Sequence, residues 1–238
     1  MTAEAQRLPH YGLKGFKYNS HYWVLQFLSA TERPLRILDV GTADGYLGAI
    51  LKERGHSIVG IEENAVAAER ARAHYDSFHV GSIEDFAFPY RSEFDCILFA
   101  DVLEHLKNPM VVLNRSLPAL KKTGEVIVSV PNIANIVMRL SLLGGRFDYA
   151  DRGILDRTHL RFFTLSSLKT MMQEASCRIL DVAPTPLPIQ LVLPVTDRKI
   201  FAPFHEAHYW LVRLWKTLFA YQFVLRAVPK VSVGNSAR

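Results

Sequence analysis

Cysteine is scarce in this sequence of 238 residues, which contains only Cys96 and Cys177. Neither has a histidine or a second cysteine at the spacing that metal sites use, which argues against zinc-finger and disulfide-framework proteins. Each cysteine lies in an apolar run typical of a buried strand. We therefore expect two reduced thiols in the core of a cytosolic protein.

Long apolar runs and basic blocks are also missing. No stretch of about 18 uncharged apolar residues occurs, so the sequence predicts no transmembrane helix. Residues 1–12 lack the apolar stretch of a signal peptide, and we expect a cytoplasmic location. No block of consecutive Lys and Arg suggests a nucleic-acid tail. The net charge of +5 permits nucleic acid, anionic lipid or an acidic small molecule as partner without choosing among them.

The chain does contain a regular alternation of apolar strands and helices. Its composition, 49% hydrophobic and 21% charged, is that of a globular α/β domain with a buried core. The alternation predicts a Rossmann-like, doubly wound, mostly parallel sheet of seven strands, with an insertion after strand five and a C-terminal helix. We divide the chain into an N-terminal helical lid (1–34), a core (35–195) and a C-terminal aromatic amphipathic helix (196–238). The insertion, residues 131–163, is expected to lie over the active site.

The elements are predicted from apolar periodicity and from residues that cap or break helices. Asn64 and Thr164 are the expected N-caps of two helices. Strands are predicted at residues 36–40, 57–62, 78–80, 94–101, 125–130, 177–184 and 186–194. Helices are predicted at residues 13–30, 45–54, 64–75, 109–120, 165–175 and 203–228.

The strongest functional pattern is LDVGTADGYLG at residues 38–48, at the end of the first strand. Gly41 and Gly45 let the backbone turn sharply and approach a ligand without obstruction by a Cβ atom. Open α/β sheets bind small molecules at this carboxyl edge. Glu62 ends the second strand, where its carboxylate can accept hydrogen bonds from two ribose hydroxyls. The pattern therefore predicts a nucleotide-like ligand at this edge.

Two common nucleotide sites fit this pattern poorly. In the dinucleotide fingerprint G-x-G-x-x-G, the second and third glycines would fall on Ala43 and Tyr46. Asp39 would repel a pyrophosphate, whereas it is compatible with a cationic ligand. No G-K-[ST] follows, which excludes a P-loop.

Four segments in order resemble the motifs of class I S-adenosylmethionine-dependent methyltransferases. They are LDVGTADGYLG (38–48), GIEEN with Glu62, GSIEDF (81–86) and FDCILFADVLEHLKNP (94–109). The last segment closely resembles the ubiquinone-biosynthesis-like branch. The segment PN…GRFDY…GILDRTHLRFFT (131–164) resembles a stretch of bacterial members that are often encoded among polysaccharide-assembly genes. The resemblance covers residues 36 to about 185, and it implies S-adenosyl-L-methionine as cofactor.

The resemblance also implies roles for matching positions. The loop after strand one would line the methionine moiety, Glu62 would hold the ribose, and the loop after strand three would border the adenine. Two departures are Ala43, where a glycine is usual, and Ser82, where an acid is usual with Glu84 close by. Asp101 would lie near the amino-acid end of the cofactor. The candidate cofactor-binding residues are Asp39, Gly41, Thr42, Gly45, Glu62, Ser82, Ile83, Glu84 and Asp101.

Methyl transfer to oxygen needs a base where the acceptor must lose a proton. His105 and His159 are the candidate catalytic residues because histidine titrates near neutrality. His105 follows the fourth strand, and His159 lies in the insertion; for each, a structural histidine is the alternative. Glu104 with His105 could hold a metal, but two adjacent ligands are a weak pattern, so we predict no metal site.

Two cationic regions bear on the partners. Five arginines of the insertion favour an anionic acceptor, although interleaved aspartates could pair with them instead. The apolar stripe of the C-terminal helix indicates packing on the domain or in a homodimer, or peripheral contact at the inner membrane surface. The five arginines are Arg139, Arg146, Arg152, Arg157 and Arg161.

Together these patterns predict O-methylation of a small-molecule, saccharide or lipid-linked acceptor. The alternatives are a quinol or phenol O-methyltransferase and a non-catalytic module that only binds the cofactor. Nucleic acid is disfavoured as acceptor because ADVLEH follows the fourth strand, not the [DN]-P-P-[YFW] pattern of base-amino methylation. A dehydrogenase fits the residues least.

Overall fold

The strands found in a computed structural model agree closely with the apolar runs of the sequence. The structure describes residues 16–31 and 33–230. Buried apolar residues without a polar face favour strands covered on both sides, and these runs form most of the sheet. The strands are β1 Arg36–Val40, β2 Ser57–Glu62, β3 Ser77–Val80, β4 Phe94–Ala100, β5 Leu120–Pro131, β6 Cys177–Thr185 and β7 Gln222–Pro229.

One sheet contains all seven of these strands, in the order β3-β2-β1-β4-β5-β7-β6. Strand β7 runs antiparallel to both of its neighbours, and the other neighbouring pairs are parallel. The predicted Rossmann-like, mostly parallel, seven-stranded sheet is confirmed. This order brings the carboxyl ends of β2, β1 and β4 side by side, so the loops that follow them share one edge.

Among the described residues, four helices begin at a residue whose side chain caps the helix. Asn64 accepts hydrogen bonds from the N–H groups of Val66 and Ala67, and Thr164 forms a capping box with Ser167. Both predicted N-caps are confirmed. The helices are α1 Ser20–Leu28, α2 Tyr46–Glu53, α3 Ala65–Ala71, α4 Pro109–Ser116, α5 Ile136–Leu143, α6 Leu165–Glu174, α7 Ile189–Val192, α8 Ala202–Leu214 and α9 Lys216–Phe219. The four with a side-chain cap are α1, α3, α5 and α6.

The predicted C-terminal helix to Val228 is wrong in its second half. The helical pattern ends at α8 and the single turn α9, and residues 222–229 form β7 between β5 and β6. Phe223 and Leu225 pack into one core and Val224 into the other. A segment that is apolar on both faces fits a central strand, and its backbone supplies the hydrogen bonds that β5 and β6 need.

The predicted seventh strand at residues 186–194 is also wrong. Prolines at both ends and in the third position disfavour a hydrogen-bonded ladder. The segment instead forms the single turn α7, followed by a 3₁₀ turn at Pro194–Asp197. No helix in the described ranges is long and apolar enough to cross a membrane.

The sheet has a hydrophobic core on each face because successive strand residues point to opposite sides. In β1, Leu38 and Val40 pack in the core that contains α4 and α6 residues, and Ile37 packs with α1 and α2. Cys96 and Cys177 are buried free thiols, as expected. Burial raises the pKa of both thiols, so neither is a thiolate at neutral pH.

The N-terminal helix is shorter than predicted, since α1 starts at Ser20 after the N-cap Asn19. The earlier part of the predicted helix, residues 13–15, lies outside the described residues. After β5, residues 131–163 hold α5 and a long return loop with little regular structure. Bridges Asn132–Phe163 and Ala150–Asp156 close that loop. The lid role of α1 and the domain limits stay predictions.

Candidate active site

The loop after β1 adopts left-handed backbone conformations that hold it against its neighbours. Gly41 and Gly45 have φ of 70° and 80°, and Ala43 has φ of 47°. A Cβ atom at Gly41 would lie 2.6 Å from Cγ2 of Val102, and one at Gly45 would lie 2.7 Å from Cα of Ala71. The two glycines therefore allow the loop to pack against the β4 turn and α3. Sequence reasoning had assigned their missing side chains to the approach of a ligand.

Glu62 is the centre of the hydrogen bonding at this edge. Its Oε2 accepts from the N–H of Ala43 at 2.8 Å, and its Oε1 accepts from the N–H of Asn64 at 2.8 Å. The side chain is nine-tenths buried, so the β1 loop and the start of α3 orient the carboxylate. Each carboxylate oxygen has a second acceptor site. Glu62 thus fits a vicinal diol such as a ribose, and Thr42 in the loop after β1 is buried.

Asp39 is buried inside the domain, where its Oδ2 accepts a 2.7 Å hydrogen bond from the hydroxyl of Tyr75. Burial raises the pKa of this carboxyl to about 7, while the Tyr75 hydrogen bond lowers it and the charge of Glu62 raises it further. The Tyr75 ring fits because Gly48 and Gly60 lack side chains; a Cβ atom on either would lie within 2.8 Å of the ring. Asp39 therefore has a clear structural role, and its contact with cofactor stays a prediction.

Ser82, Ile83 and Glu84 lie on the turn after β3, and some of their polar groups form hydrogen bonds within the protein. Ile83 is buried in the core, and Ser82 Oγ accepts weakly from the N–H of Glu84 at 3.3 Å. Oε1 of Glu84 accepts from the N–H of Asn108 at the start of α4. Glu84 thus joins the β3 loop to the loop after β4. Contact of these residues with an adenine stays a prediction.

Asp101 directly follows β4 and has a φ of 59°, which is unusual for a residue with a side chain. Its carboxylate accepts from the hydroxyl of Ser129 in β5, from Nε2 of Gln222 in β7 at 3.1 Å, and from the hydroxyl of Ser20 in α1 at 3.4 Å. Ser20 and Ser129 are fully buried. The side chain at the end of β4 is therefore held by three separate elements.

The insertion is attached to the turn after β4 by backbone hydrogen bonds. The carbonyl of Glu104 accepts from the N–H groups of Leu160 and Arg161, at 2.8 and 2.9 Å. Arg161 also donates from Nε to the carbonyl of Lys107. These contacts bring His159 against His105, with ring centroids 4.8 Å apart. Two residues that are distant in the sequence thus form one histidine pair.

Each histidine of this pair is oriented through its Nδ1 atom. His159 Nδ1 lies 3.0 Å from the carbonyl oxygen of Ile154, and His105 Nδ1 lies 3.3 Å from that of Thr158. A carbonyl oxygen only accepts, so Nδ1 is the donor in each of these contacts, and Nε2 is the ring nitrogen left for other partners. Burial first, and then the neighbouring His159, lowers the pKa of His105. His105 is therefore neutral at physiological pH and able to accept a proton.

Glu104 completes a small cluster with the two histidines. One ligand atom from each of Glu104, His105 and His159 lies within 4.8 Å of the others. A carboxylate and two imidazoles oriented by carbonyl oxygens are a ligand set that a divalent cation can use. The fold thus adds His159 as a third candidate ligand to the two-residue pattern.

Sequence reasoning missed Ser20, Ser129 and Gln222, which bind Asp101. A buried serine in a central strand looks like a small core residue, and Gln222 lay inside a region predicted as helix. The usable pattern was that Ser129 is the only polar residue after Glu125 in the β5 run EVIVSV. Tyr221 was missed for the same reason; burial raises its pKa to about 12, with Asp101 and Asp156 adding to the shift.

Comparison with known proteins identifies the family of the chain. The model of a methyltransferase domain family matches residues 19–182. A ubiquinone biosynthesis O-methyltransferase of Xanthomonas axonopodis pv. citri is 25% identical over 169 residues, which cover 67% of this chain and 70% of that protein. Across such curated relatives the matched segment spans about two thirds of their length, from 64% to 70%.

Solved structures share the fold at low sequence identity. A SAM-dependent methyltransferase from Archaeoglobus fulgidus superposes with a TM-score of 0.63 at 15% identity, covering 87% of this chain and 91% of that one. Magnesium protoporphyrin IX methyltransferase from Synechocystis, with bound SAH, gives a TM-score of 0.60 at 14% identity and covers 88% and 82%.

Proposed function

The chain belongs to the class I S-adenosylmethionine-dependent methyltransferases, and we propose that it methylates a hydroxyl oxygen of a small-molecule, saccharide or lipid-linked acceptor. The observation that carries the proposal is the oriented pair His105 and His159 beside the end of β4. An acceptor hydroxyl must lose its proton during transfer, and a neutral histidine with a lone pair on Nε2 meets that need.

The residues of this chain supply binding, orientation and a proton acceptor. When bound, S-adenosylmethionine supplies an activated sulfonium methyl group. Glu62 would hold the two ribose hydroxyls, and the Gly41–Gly45 loop would border the methionine part. Asp101, held by Ser129 and Gln222, offers a fixed acceptor for an ammonium group. His105 would take the acceptor proton at Nε2 while the insertion excludes water. Alignment of the two reactants then accounts for much of the rate.

A specific observation supports a second mechanism at the same place. The Glu104, His105 and His159 cluster fits a divalent cation, which would lower the pKa of a bound hydroxyl and replace the base. The quinol or phenol alternative is supported by the ubiquinone biosynthesis relatives. A non-catalytic binding module is the remaining alternative.

The test is a screen of labelled methyl transfer to saccharides, lipid-linked saccharides and quinols. His105→Asn and His159→Asn should lower the rate by about 10²–10⁴-fold while affinity for S-adenosylhomocysteine is retained. His56→Asn, outside the site, is the control. Dialysis against a chelator, followed by Mg²⁺ or Zn²⁺, separates the mechanisms: loss and recovery of rate supports the cation, and an unchanged rate supports the base. Full turnover in both site variants would refute either role.

The exposed face of α8 supports peripheral contact with an anionic membrane as part of this proposal. Tyr209 and Val212 are buried, while Trp210, Leu214 and Trp215 are 55%, 84% and 59% exposed. The guanidinium of Arg213 lies 4.7 Å from the Trp210 ring centroid. Aromatic residues with flanking cations are typical of membrane-surface helices.

Liposome co-sedimentation tests this contact. Wild type should bind anionic more than neutral vesicles, and a Trp210→Ser, Leu214→Ser double variant should bind neither. A wild type that stays in the supernatant with both lipids, but forms a dimer that the double variant loses, would assign this face to self-association.

A further inference from the structure

An apolar groove runs along α5 in the insertion, next to the proposed acceptor site. Two adjoining hollows form it, and they share Val137, Ser141 and Arg146. The inner hollow has a volume of about 400 Å³ and reaches Ile154, Leu155 and Leu187 among others. The outer hollow continues past Leu140 to Gly144. Helix α5, which forms one wall of the groove, has eight residues and is about 12 Å long.

The sequence of α5 explains why the groove is apolar. The helix reads IVMRLSLL, with one cation and one serine, yet Met138 is its only fully buried residue. Val137, Leu140 and Leu143 are 48%, 59% and 84% exposed. Met138 joins Ile154 and Leu155 in a small hydrophobic cluster that is separate from both faces of the sheet. This cluster forms the base of the inner hollow.

The inner end of the groove adjoins the candidate catalytic residues on two sides. Ile154 lines the groove, and its carbonyl oxygen binds His159 Nδ1. Tyr221 also lines the groove and precedes Gln222, which donates to Asp101. The inner hollow is therefore lined by one residue that directly binds His159 and by one that directly precedes the residue binding Asp101.

The groove has a cation where its two hollows meet. Arg146 lines both hollows, is exposed, and takes part in no ion pair among the residues that the structure describes. Asp148 lines the inner hollow but not the outer one. An anionic group is therefore favoured at the junction, and an apolar chain along Leu140 and Val137.

We propose that this groove binds the alkyl chain of an amphiphilic acceptor and that Arg146 binds an anionic group of the same molecule. The proposal rests on the proposed function, because it makes the groove the place where the acceptor is recognised. It selects lipid-linked, anionic acceptors over free saccharides. The acceptor hydroxyl would lie near the histidine pair, with the chain extending outward along α5.

Calorimetry with alkyl phosphates, below their micelle concentrations, tests the groove directly. Hexyl, octyl and decyl phosphate should bind with increasing affinity, by up to about fourfold per methylene, which corresponds to about 0.8 kcal/mol. Decyl glucoside, which has no charge, should bind at least about tenfold more weakly than decyl phosphate.

Three variants locate the site. Ser141→Trp should fill the groove and abolish the dependence on chain length, whereas Leu143→Trp, on the same helix outside the groove, should not change it. Arg146→Gln should remove the preference for phosphate over glucoside and retain the dependence on chain length. The same affinity in Ser141→Trp and wild type would overturn the proposal.

Binding of S-adenosylhomocysteine, measured on the same samples, distinguishes failure of the groove proposal from failure of the proposed function. If it binds and the alkyl phosphates do not, the groove proposal fails and the proposed function stands. If it does not bind, the proposed function fails. Binding of alkyl phosphates only above their micelle concentrations would overturn the groove in favour of contact with a lipid surface.

Discussion

The loops after β1, β2 and β3 are held by contacts between residues close in sequence. The turn after β4 and the insertion are held by contacts between residues far apart in sequence. The hydrogen bonds Ala43–Glu62 and Tyr75–Asp39 join residues 19 and 36 positions apart. At the turn after β4, His105–Thr158 and Gln222–Asp101 join residues 53 and 121 positions apart. Because few hydrogen bonds hold the loops after β1 and β2, we expect one substitution there to lower cofactor affinity more than one substitution at the turn after β4.

The comparison predicts the largest effect for Glu62→Ala. Loss of the carboxylate removes two expected ribose hydrogen bonds and leaves the N–H groups of Ala43 and Asn64 without this acceptor. Charged hydrogen bonds contribute about 1.5–3 kcal/mol each, so affinity for S-adenosylhomocysteine should fall by about 100-fold or more. Isothermal titration calorimetry measures this effect.

The neighbouring Glu63 provides a matched control, because it is exposed and one position further along the chain. Glu63→Ala should bind the cofactor product as wild type does. Equal affinities in both variants would mean that the loop after β1 is not the cofactor site.

An intermediate effect is expected for Gln222→Leu, which removes one of the three groups that hold Asp101. Ser129 and Ser20 remain, so Asp101 should keep its place but vary more in orientation. We expect kcat/KM to fall by about tenfold, since one hydrogen bond to a charged group is lost, with a smaller change in affinity for S-adenosylhomocysteine.

This effect is measured by steady-state kinetics with the acceptor that the screen identifies. Gln173→Leu, on the exposed face of α6, is the control. If Gln222→Leu has the kcat/KM of the control, the orientation of Asp101 does not depend on β7. Distant contacts would then matter less at the turn after β4 than we propose.

The smallest effect on catalysis is expected for Asp39→Asn, which should alter stability instead. The pKa of Asp39 is raised to about 7 in the folded protein, so wild-type stability is greatest at low pH with respect to this group. It decreases as the pH rises from the unfolded pKa near 4 to the folded pKa, and stays low above it. The amide that replaces the carboxyl cannot ionise, so the variant should melt a few degrees higher than wild type at pH 8 and no higher at pH 4.

Thermal unfolding at several pH values measures this difference, with Asp85→Asn, an exposed carboxyl, as control. Binding of the cationic cofactor and of its neutral product should change equally in Asp39→Asn. A selective loss of affinity for the cation would assign Asp39 to the cofactor site and extend that site into the core.

The loops at the carboxyl edge and most strands were predictable because their determinants are adjacent in the chain. RILDV and SIVGIE form β1 and β2 with the predicted limits, since an apolar run bounded by turn residues has few alternatives. Two predictions for the C-terminal region were wrong: residues 186–194 form helical turns instead of a strand, and residues 222–229 form a strand instead of a helix. The prolines of residues 186–194 disfavour a strand, but residues 222–229 continue an apolar helical pattern, so local propensity did not identify them as the segment that pairs with β6.

The sequence by itself determined the fold class, the family and the loops at the carboxyl edge, because hydrophobic periodicity and glycine positions act within about 20 residues. Only the tertiary structure decided that β7 enters the sheet between β5 and β6, because the unmet backbone groups of those strands select it. The same long-range pairing brings Gln222 to Asp101. The insertion in turn brings His159 to His105, through hydrogen bonds to the Glu104 carbonyl that no local pattern encodes.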